Sequence, residues 1–195
     1  MTTTISRLYN NYTDAQRAVR DLEAAGVSHS DISIVANNSD GWFSTEKKVD
    51  RDHDGVDDRA EGAGKGAGVG AGLGLLAIPG LGPVVAAGWL EATAVGAAAG
   101  AATGGVIGAL TQAGVSKEDA EVYAEGVRRG GTLVSAKVAD ADRARLDSIL
   151  NRSAVDLQSR RTAWQESGWK TYDPAAKAYS ADEVRKERSL YGTGV

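Results

Sequence analysis

The feature that most constrains this chain is an apolar, glycine-rich stretch that runs from Gly62 to Gly114. Between Lys65 and Lys117 the only charged residue is Glu91. A segment with so little charge packs against another backbone, lies in a bilayer, or serves as a flexible linker. Flexible linkers are rich in Gly and Ser and are polar, whereas this stretch carries Leu, Ile, Val and Trp. The composition therefore favours a packed structure.

Glycine recurs at every fourth position on both sides of a central Pro-Gly break. This spacing places glycines in one stripe along a helix, and a stripe without side chains lets a second helix approach closely. Pro79 and Pro83 flank the break, and proline ends helices. We therefore expect a helical hairpin, with helices over about 64–78 and about 84–113. The predicted packing residues are Gly62, Gly66, Gly70, Gly74, Gly88, Gly96, Gly100, Gly104 and Gly108.

A membrane-associated hairpin is the alternative interpretation of this stretch. A bilayer span needs about 20 apolar residues, and the first arm offers only about 15 before the Pro-Gly break. Gly and Ala also favour insertion less than Leu and Ile do. The sequence thus favours packing between protein segments, and it predicts a homo-oligomer that assembles through residues 62–114.

The chain before this stretch predicts a β-α-β unit. Strands are expected at Ile5–Tyr9 and Ile32–Ala36. The helix between them should begin at a capping box formed by Thr13 and Gln16 and end at Gly26. Its apolar face has helical spacing and consists of Ala15, Ala18, Val19, Leu22 and Ala25.

The chain after the stretch predicts a second unit of the same kind. Ser116 should cap a helix that ends near Gly130, and Thr132–Val138 should form a strand. A helix capped by Asp140 and a short last strand at Ala154–Leu157 should follow. Two such units usually form one sheet with its helices on one face, as in ferredoxin-like folds.

The predicted fold class is therefore α+β: a ferredoxin-like α/β sandwich interrupted by a glycine-zipper helical hairpin. The expected segments are a first half at 1–36, an acidic linker at 37–61, the hairpin at 62–115, a second half at 116–158 and a tail at 159–195. The tail lacks an apolar period, so it should be mostly disordered, with a short helix at about 181–189.

The acidic linker contains a candidate calcium loop. Its twelve residues place oxygens at positions 1, 3, 5 and 9, a glycine at 6 and a glutamate at 12, as calcium loops do. Against this, position 8 is Asp57 where an apolar residue is usual, and no flanking helices are predicted. A solvated acidic linker is the alternative. The candidate ligands are Asp50, Asp52, Asp54, the Val56 carbonyl, Asp58 and Glu61.

Composition argues against several other functions. The chain of 195 residues has no cysteine, and its two histidines, His29 and His53, lie in different segments. Thiol catalysis is therefore excluded, and a zinc site or a catalytic dyad is disfavoured. The net charge of −4 does not suggest a nucleic-acid partner. No signal peptide is recognisable, so we expect a cytoplasmic, non-enzymatic protein with no identified small-molecule substrate and no cofactor other than the candidate calcium.

Several motifs together resemble a known family. They are the LLAIPGLGPVVAAG run, the segment EDAEVYAEGVRRGGTLVSAKV, the AVDLQSR run and the tail GWKTYDPAAKAYSADEVRKER. The chain is similar over most of residues 4–188 to the general stress protein 17M-like family, also called the heat-induced stress protein YflT family. The resemblance implies a bacterial, stress-associated, non-enzymatic protein, and it implies no catalytic residues.

Overall fold

The structure, a computed structural model, describes residues 1–43, 74–78, 81–90 and 105–191. These residues form a mixed α+β fold around an antiparallel sheet of five strands in the order β1-β5-β2-β4-β3. The strands are β1 (Thr2–Tyr9), β2 (Ile32–Asn37), β3 (Gly74–Ile78), β4 (Gly82–Gly88) and β5 (Thr132–Ala139). The helices are α1 (Tyr12–Ala24), α2 (Gly105–Gln112), α3 (Lys117–Arg128), α4 (Arg143–Leu150), α5 (Leu157–Glu166) and α6 (Ala181–Tyr191).

The first β-α-β unit is confirmed, with one change at its helix cap. Asn11, not Thr13, is the N-cap of α1, and its side chain accepts a hydrogen bond from the Asp14 N–H. Asparagine is among the strongest N-cap residues, so the helix begins earlier than the capping box predicts. The predicted apolar positions Ala15, Ala18, Val19 and Leu22 are all buried.

The sheet interleaves two split β-α-β units. Strands β1 and β2 both pair antiparallel with β5, which lies between them. Strands β4 and β5 both pair antiparallel with β2, which lies between them in turn. The second unit therefore runs from β4 through α2 and α3 to β5. The predicted last strand at Ala154–Leu157 is wrong, because the Val155 N–H donates to the Leu8 carbonyl at 2.8 Å outside any strand and α5 begins at Leu157.

The predicted helical hairpin is wrong at Gly74–Ile78 and Gly82–Gly88, which form the strands β3 and β4. A spacing of four residues is close to one helical turn of about 3.6 residues and equals two strand repeats of about 2.0 residues. A four-residue glycine spacing therefore does not distinguish a helix from a strand. The β-branched Val84 and Val85 favour the strand. Gly88 also has a φ of 84°, and a Cβ there would lie 2.2 Å from the Ile32 carbonyl oxygen, so β4 meets β2 at this glycine.

Helices cover both faces of the sheet, which corrects the prediction of a single covered face. One face packs beneath α1 and α4, and the other packs beneath α2, α3 and α5. Every residue of β2 is buried, as a strand covered on both sides requires. On the second face, Ser6 and Ser135 are buried and bond each other at 2.8 Å.

The tail is also ordered, contrary to the prediction of a mostly disordered segment. Residues 157–166 form α5, whose Trp164 is 1% exposed and belongs to the core. The predicted short helix near 181–189 is confirmed as α6, in which Val184 is buried. Each tail helix has one buried apolar side chain, so neither shows the repeating apolar positions that identify an amphipathic helix.

Candidate functional site

The two edge strands of the sheet, β1 and β3, are candidate sites for pairing with another chain. An edge strand presents unpaired N–H and C=O groups that can pair with another chain. At the β1 edge two carbonyls, those of Ser6 and Leu8, already have partners. The Ser6 carbonyl accepts hydrogen bonds from the Tyr123 hydroxyl at 2.7 Å and from the Arg7 guanidinium at 2.7 Å. The Leu8 carbonyl accepts from the Val155 N–H.

Charge reinforces the closure of the β1 edge. Arg7 forms a bidentate pair with Asp147 of α4, at 2.7 and 2.8 Å, and a further hydrogen bond with Asn151 at 3.1 Å. A charged side chain on an edge strand disfavours pairing with a second strand. The β1 edge is thus occupied by groups from α3, α4 and the segment before α5.

The tyrosines beneath this edge keep their protons well above neutral pH. Burial raises the pKa of Tyr123 to about 12 from an ordinary value of 10.0. Burial also raises the pKa of Tyr9, whose hydroxyl donates to the Leu150 carbonyl at 2.6 Å. Because both hydroxyls act as donors to carbonyls, they support the closed edge only while protonated.

The β3 edge differs. Strand β3 pairs with β4 from Gly74 opposite Ala86 to Ile78 opposite Gly82. Among the described residues, no strand and no other backbone group pairs with its outer side. Its sequence, Gly-Leu-Leu-Ala-Ile, contains neither charge nor proline. The strand itself therefore lacks the charged side chains and proline that natural proteins often place on edge strands to prevent pairing.

Strand β4, the sheet neighbour of β3, is held by hydrogen bonds at both of its ends. The Ser33 hydroxyl donates to the Ala87 carbonyl at 2.8 Å and accepts from the Leu90 N–H at 3.1 Å. At the other end of β4, the Asn38 N–H donates to the Pro83 carbonyl at 2.8 Å. The strand is apolar, and its central residues Val84, Val85, Ala86 and Ala87 are buried. Strand β3 therefore pairs with a strand that is itself hydrogen-bonded at both ends.

A second cluster lies at the C-terminal end of α3, where the tail returns to the core. The carboxylate of Glu125 is fully buried and accepts hydrogen bonds from Arg128, at 2.6 and 2.9 Å, and from Arg129. Burial by itself lowers the pKa of Arg128, but the hydrogen bonds and charge of Glu125 outweigh it, and the pKa is raised. A buried carboxylate with this much pairing is stable, whereas an unpaired one would be costly.

Helix α6 is attached to this cluster mainly by polar contacts. Glu187 accepts from the Trp164 indole N–H at 2.8 Å and pairs with Arg129 at 3.3 Å. Arg188 pairs with Asp40 at 2.7 Å and donates to the Gly130 carbonyl at 2.9 Å.

Arg160 joins the end of α6 to α5. It donates to the Asn10 side chain at 2.9 Å, and its guanidinium lies 3.9 Å from the centre of the Tyr191 ring. Burial lowers the pKa of Arg160.

The predicted site residues are distributed as follows. The six calcium ligands predicted over Asp50–Glu61 lie outside the described residues. Of the predicted packing glycines, Gly74 begins β3, Gly88 ends β4 and only Gly108 lies in a helix, α2. The stripe of helix-packing glycines is therefore wrong at Gly74 and Gly88. The remaining glycines, Gly62, Gly66, Gly70, Gly96, Gly100 and Gly104, lie outside the described residues.

Two groups of residues escaped the sequence analysis. The closed edge involves Tyr123 and Val155, which are far from β1 in sequence, so no local signal could have found them. The cluster at the end of α3 did have a signal, because Arg128 and Arg129 follow Glu125 at spacings of three and four on a helix. Within the described ranges, no three or more His, Asp or Glu side chains are grouped to hold a metal ion.

A scan against protein-family models, a search of curated proteins and a search of solved structures each find no match for this chain. In the described part of the chain, no helix combines the length and hydropathy that a membrane-spanning helix requires.

Proposed function

We propose that this protein is a non-enzymatic self-association module in which β3 of one copy pairs with β3 of another. The observation that carries the proposal is the contrast at the sheet edges: β3 is apolar and uncharged, while two carbonyls of β1 are already occupied by groups from β1 itself, from α3 and from the segment before α5. Strand addition to an open edge is a common recognition mode. The resemblance to the general stress protein 17M-like family, which implies a non-enzymatic stress protein, supports the same reading.

A second copy is the occupant that the edge fits best. Two identical strands can meet antiparallel about a two-fold axis, and each residue then makes the same contact on both sides. No charge on β3 opposes its own copy. The result would be one continuous sheet across the dimer.

The energetics set the expected strength. Each backbone hydrogen bond across the new pair contributes a net ~0.5–1.5 kcal/mol. Association costs about 4–15 kcal/mol in lost freedom of motion, so strand pairing alone leaves little surplus. Each apolar side chain that becomes buried adds about 1.5–3 kcal/mol. We therefore expect a reversible, concentration-dependent dimer in which side chains of β3 contribute as much as its backbone.

Lysine substitutions in β3 test the proposal. Leu75 and Leu76 are neighbours in β3. We expect Leu75→Lys and Leu76→Lys, examined separately, to lower the association constant because each places like charges close together across the two-fold axis. Sedimentation velocity over a range of concentrations gives the constant, and thermal unfolding identifies whichever variant keeps its fold.

Thr2→Lys is the matched control, because Thr2 is exposed on the closed β1 edge. It adds the same charge and should associate as the wild type does. A wild-type protein that stays monomeric at high concentration would overturn the proposal. So would a folded lysine variant of β3 with wild-type association.

A further inference from the structure

The C-terminal arm, residues 167–191, reaches the β3–β4 hairpin at its turn end. Ala178 lies directly against Gly82, the first residue of β4, and a Cβ on Gly82 would be 2.8 Å from the Ala178 Cβ. Gly82 is paired with Ile78, the last residue of β3. The arm thus supports the hairpin at the point where its two strands meet.

A second connection runs through the turn that follows β2. Arg188 of α6 pairs with Asp40 in that turn, and the Asn38 N–H in the same turn donates to the Pro83 carbonyl. Asn38 also bonds Phe43 through its amide, at 2.9 Å in each direction. The arm therefore contacts the base of the hairpin directly at Gly82 and indirectly through the Asp40 turn.

Electrostatic contacts dominate the attachment of α6. Val184 is its buried residue and packs against Gly130, where a Cβ would lie 2.6 Å from the Val184 Cγ1. The two ion pairs are only partly exposed, at 12% and 13% for Arg129 and Glu187 and at 29% and 17% for Arg188 and Asp40. Partly buried pairs are stronger than surface pairs, and salt screens them less than it screens exposed pairs.

We propose that α6 is a salt-sensitive latch that holds the β3–β4 hairpin in its association-competent form. When the latch is closed, the arm orders the hairpin and the β3 edge is presented ready for pairing. When the ion pairs of Glu187 and Arg188 are released, the hairpin loses support at its turn end and opens more often. The regulatory part of this inference rests on the proposed pairing of β3.

The latch predicts an unusual dependence on salt. An interface made of backbone hydrogen bonds and apolar side chains should not weaken as salt rises, since it contains no charge to screen. A latch made of ion pairs should weaken moderately at high salt, because its charges are partly exposed and are screened less than those of a surface pair. Association that declines with added sodium chloride therefore points to the latch rather than to the interface.

Hydrogen exchange of the β4 amides tests the latch independently of association. The measurement is made on the full chain at a concentration where it is monomeric, and it follows residues 81–90. We expect Arg188→Gln to raise the exchange rate of this segment by about tenfold, because local opening becomes easier. Arg185→Gln is the matched control: Arg185 lies on the same helix, is exposed and pairs only within α6, with Asp182.

The outcomes separate the latch from the proposed function. Wild-type exchange in Arg188→Gln, or an equal rise in Arg185→Gln, would overturn the latch. Faster exchange at 81–90 without weaker association would overturn its regulatory role. If the wild type never associates, the pairing of β3 fails, while the exchange comparison still decides whether α6 supports the hairpin.

Discussion

The two edges of the sheet are built from different kinds of strand. Strand β1 carries Arg7, and two of its carbonyls, those of Ser6 and Leu8, accept hydrogen bonds from Tyr123, Arg7 and Val155. Strand β3 has no charge, and in the described part of the chain its one strand neighbour is β4. The difference teaches that this chain closes an edge by bringing in groups from distant segments rather than by the composition of the strand alone.

The largest effect is expected from removing Trp164, the buried side chain of α5. Trp164 is buried in the core, and α5 follows directly after the Val155 segment that bonds Leu8. We expect Trp164→Ala to lower the free energy of unfolding by about 3–5 kcal/mol, the usual cost of emptying such a site. Chemical denaturation monitored by circular dichroism measures this change.

The same variant should also weaken the closure of β1, because α5 would no longer hold Val155 in place. A chain with two open edges can extend in both directions, so we expect particles larger than a dimer. Trp164→Phe is the control, since it fills most of the site. Should Trp164→Ala unfold at the wild-type denaturant concentration, the ordered tail is not part of the core.

Gly88 tests the support of the open edge. It combines a φ of 84° with a Cβ position 2.2 Å from the Ile32 carbonyl oxygen. We expect Gly88→Ala to cost about 2–4 kcal/mol through backbone strain and overlap, and to weaken association by displacing β4. Thermal unfolding and sedimentation measure the two effects.

Gly26→Ala provides the comparison for this variant. Gly26 also has a positive φ, of 95°, but nothing lies within 4 Å of its Cβ position. It should show only the backbone strain, about 1–2 kcal/mol, with association unchanged. Equal losses of unfolding free energy in the two variants would mean that the close approach of β4 to β2 adds nothing to the cost of Gly88→Ala.

A smaller effect is expected from one hydroxyl at the closed edge. Tyr123→Phe removes a donor to the Ser6 carbonyl, which still accepts from Arg7, so we expect a loss of about 0.5–1.5 kcal/mol. The loss is measured at neutral pH by denaturation.

The pH dependence follows from the same hydroxyl. The pKa of Tyr123 is raised in the folded state, so its contribution is fully present below the unfolded value of 10.0 and is lost as pH rises toward about 12. Wild-type stability should therefore fall over that interval, and Tyr123→Phe should fall less. Parallel curves for the two proteins would contradict the role given to this hydroxyl.

The smallest expected effect concerns the acidic segment that precedes β3. The loop from Asp50 to Glu61 predicts weak calcium binding, with a dissociation constant of about 10⁻⁴–10⁻³ M. We expect titration calorimetry to detect binding in the wild type and to lose it in Asp54→Ala. An absence of heat in the wild type up to millimolar calcium would leave only the solvated linker.

Part of this fold was predictable from the residues alone. The strands β1, β2 and β5 and the helices α1 and α3 were predicted close to their observed bounds, because each has a clear apolar period and a cap or a glycine at its end. Strands β3 and β4 were missed, since a four-residue glycine spacing fits a strand as well as a helix.

Other parts depend on contacts that local patterns do not encode. The tail helices rely on single anchors, Trp164 and Val184, so their order arises from tertiary packing. Ser6 and Ser135 bond each other and Ser33 bonds the Ala87 carbonyl, so these polar residues are buried on the second covered face. Their residue type alone does not predict that burial. Neither the β1 closure nor the β3 edge could be predicted without the strand order.

The strand order also determines when the sheet can form during synthesis. Strand β1 pairs with β5, so Tyr9 finds its partner at Thr132. At about 5–20 residues per second, roughly 6–25 s separate the appearance of these two strands on the ribosome. Strand β2 can meet β4 earlier, but its other neighbour is again β5. The nascent chain must therefore hold two apolar strands incompletely paired until β5 emerges, and this interval is when it would most need a chaperone.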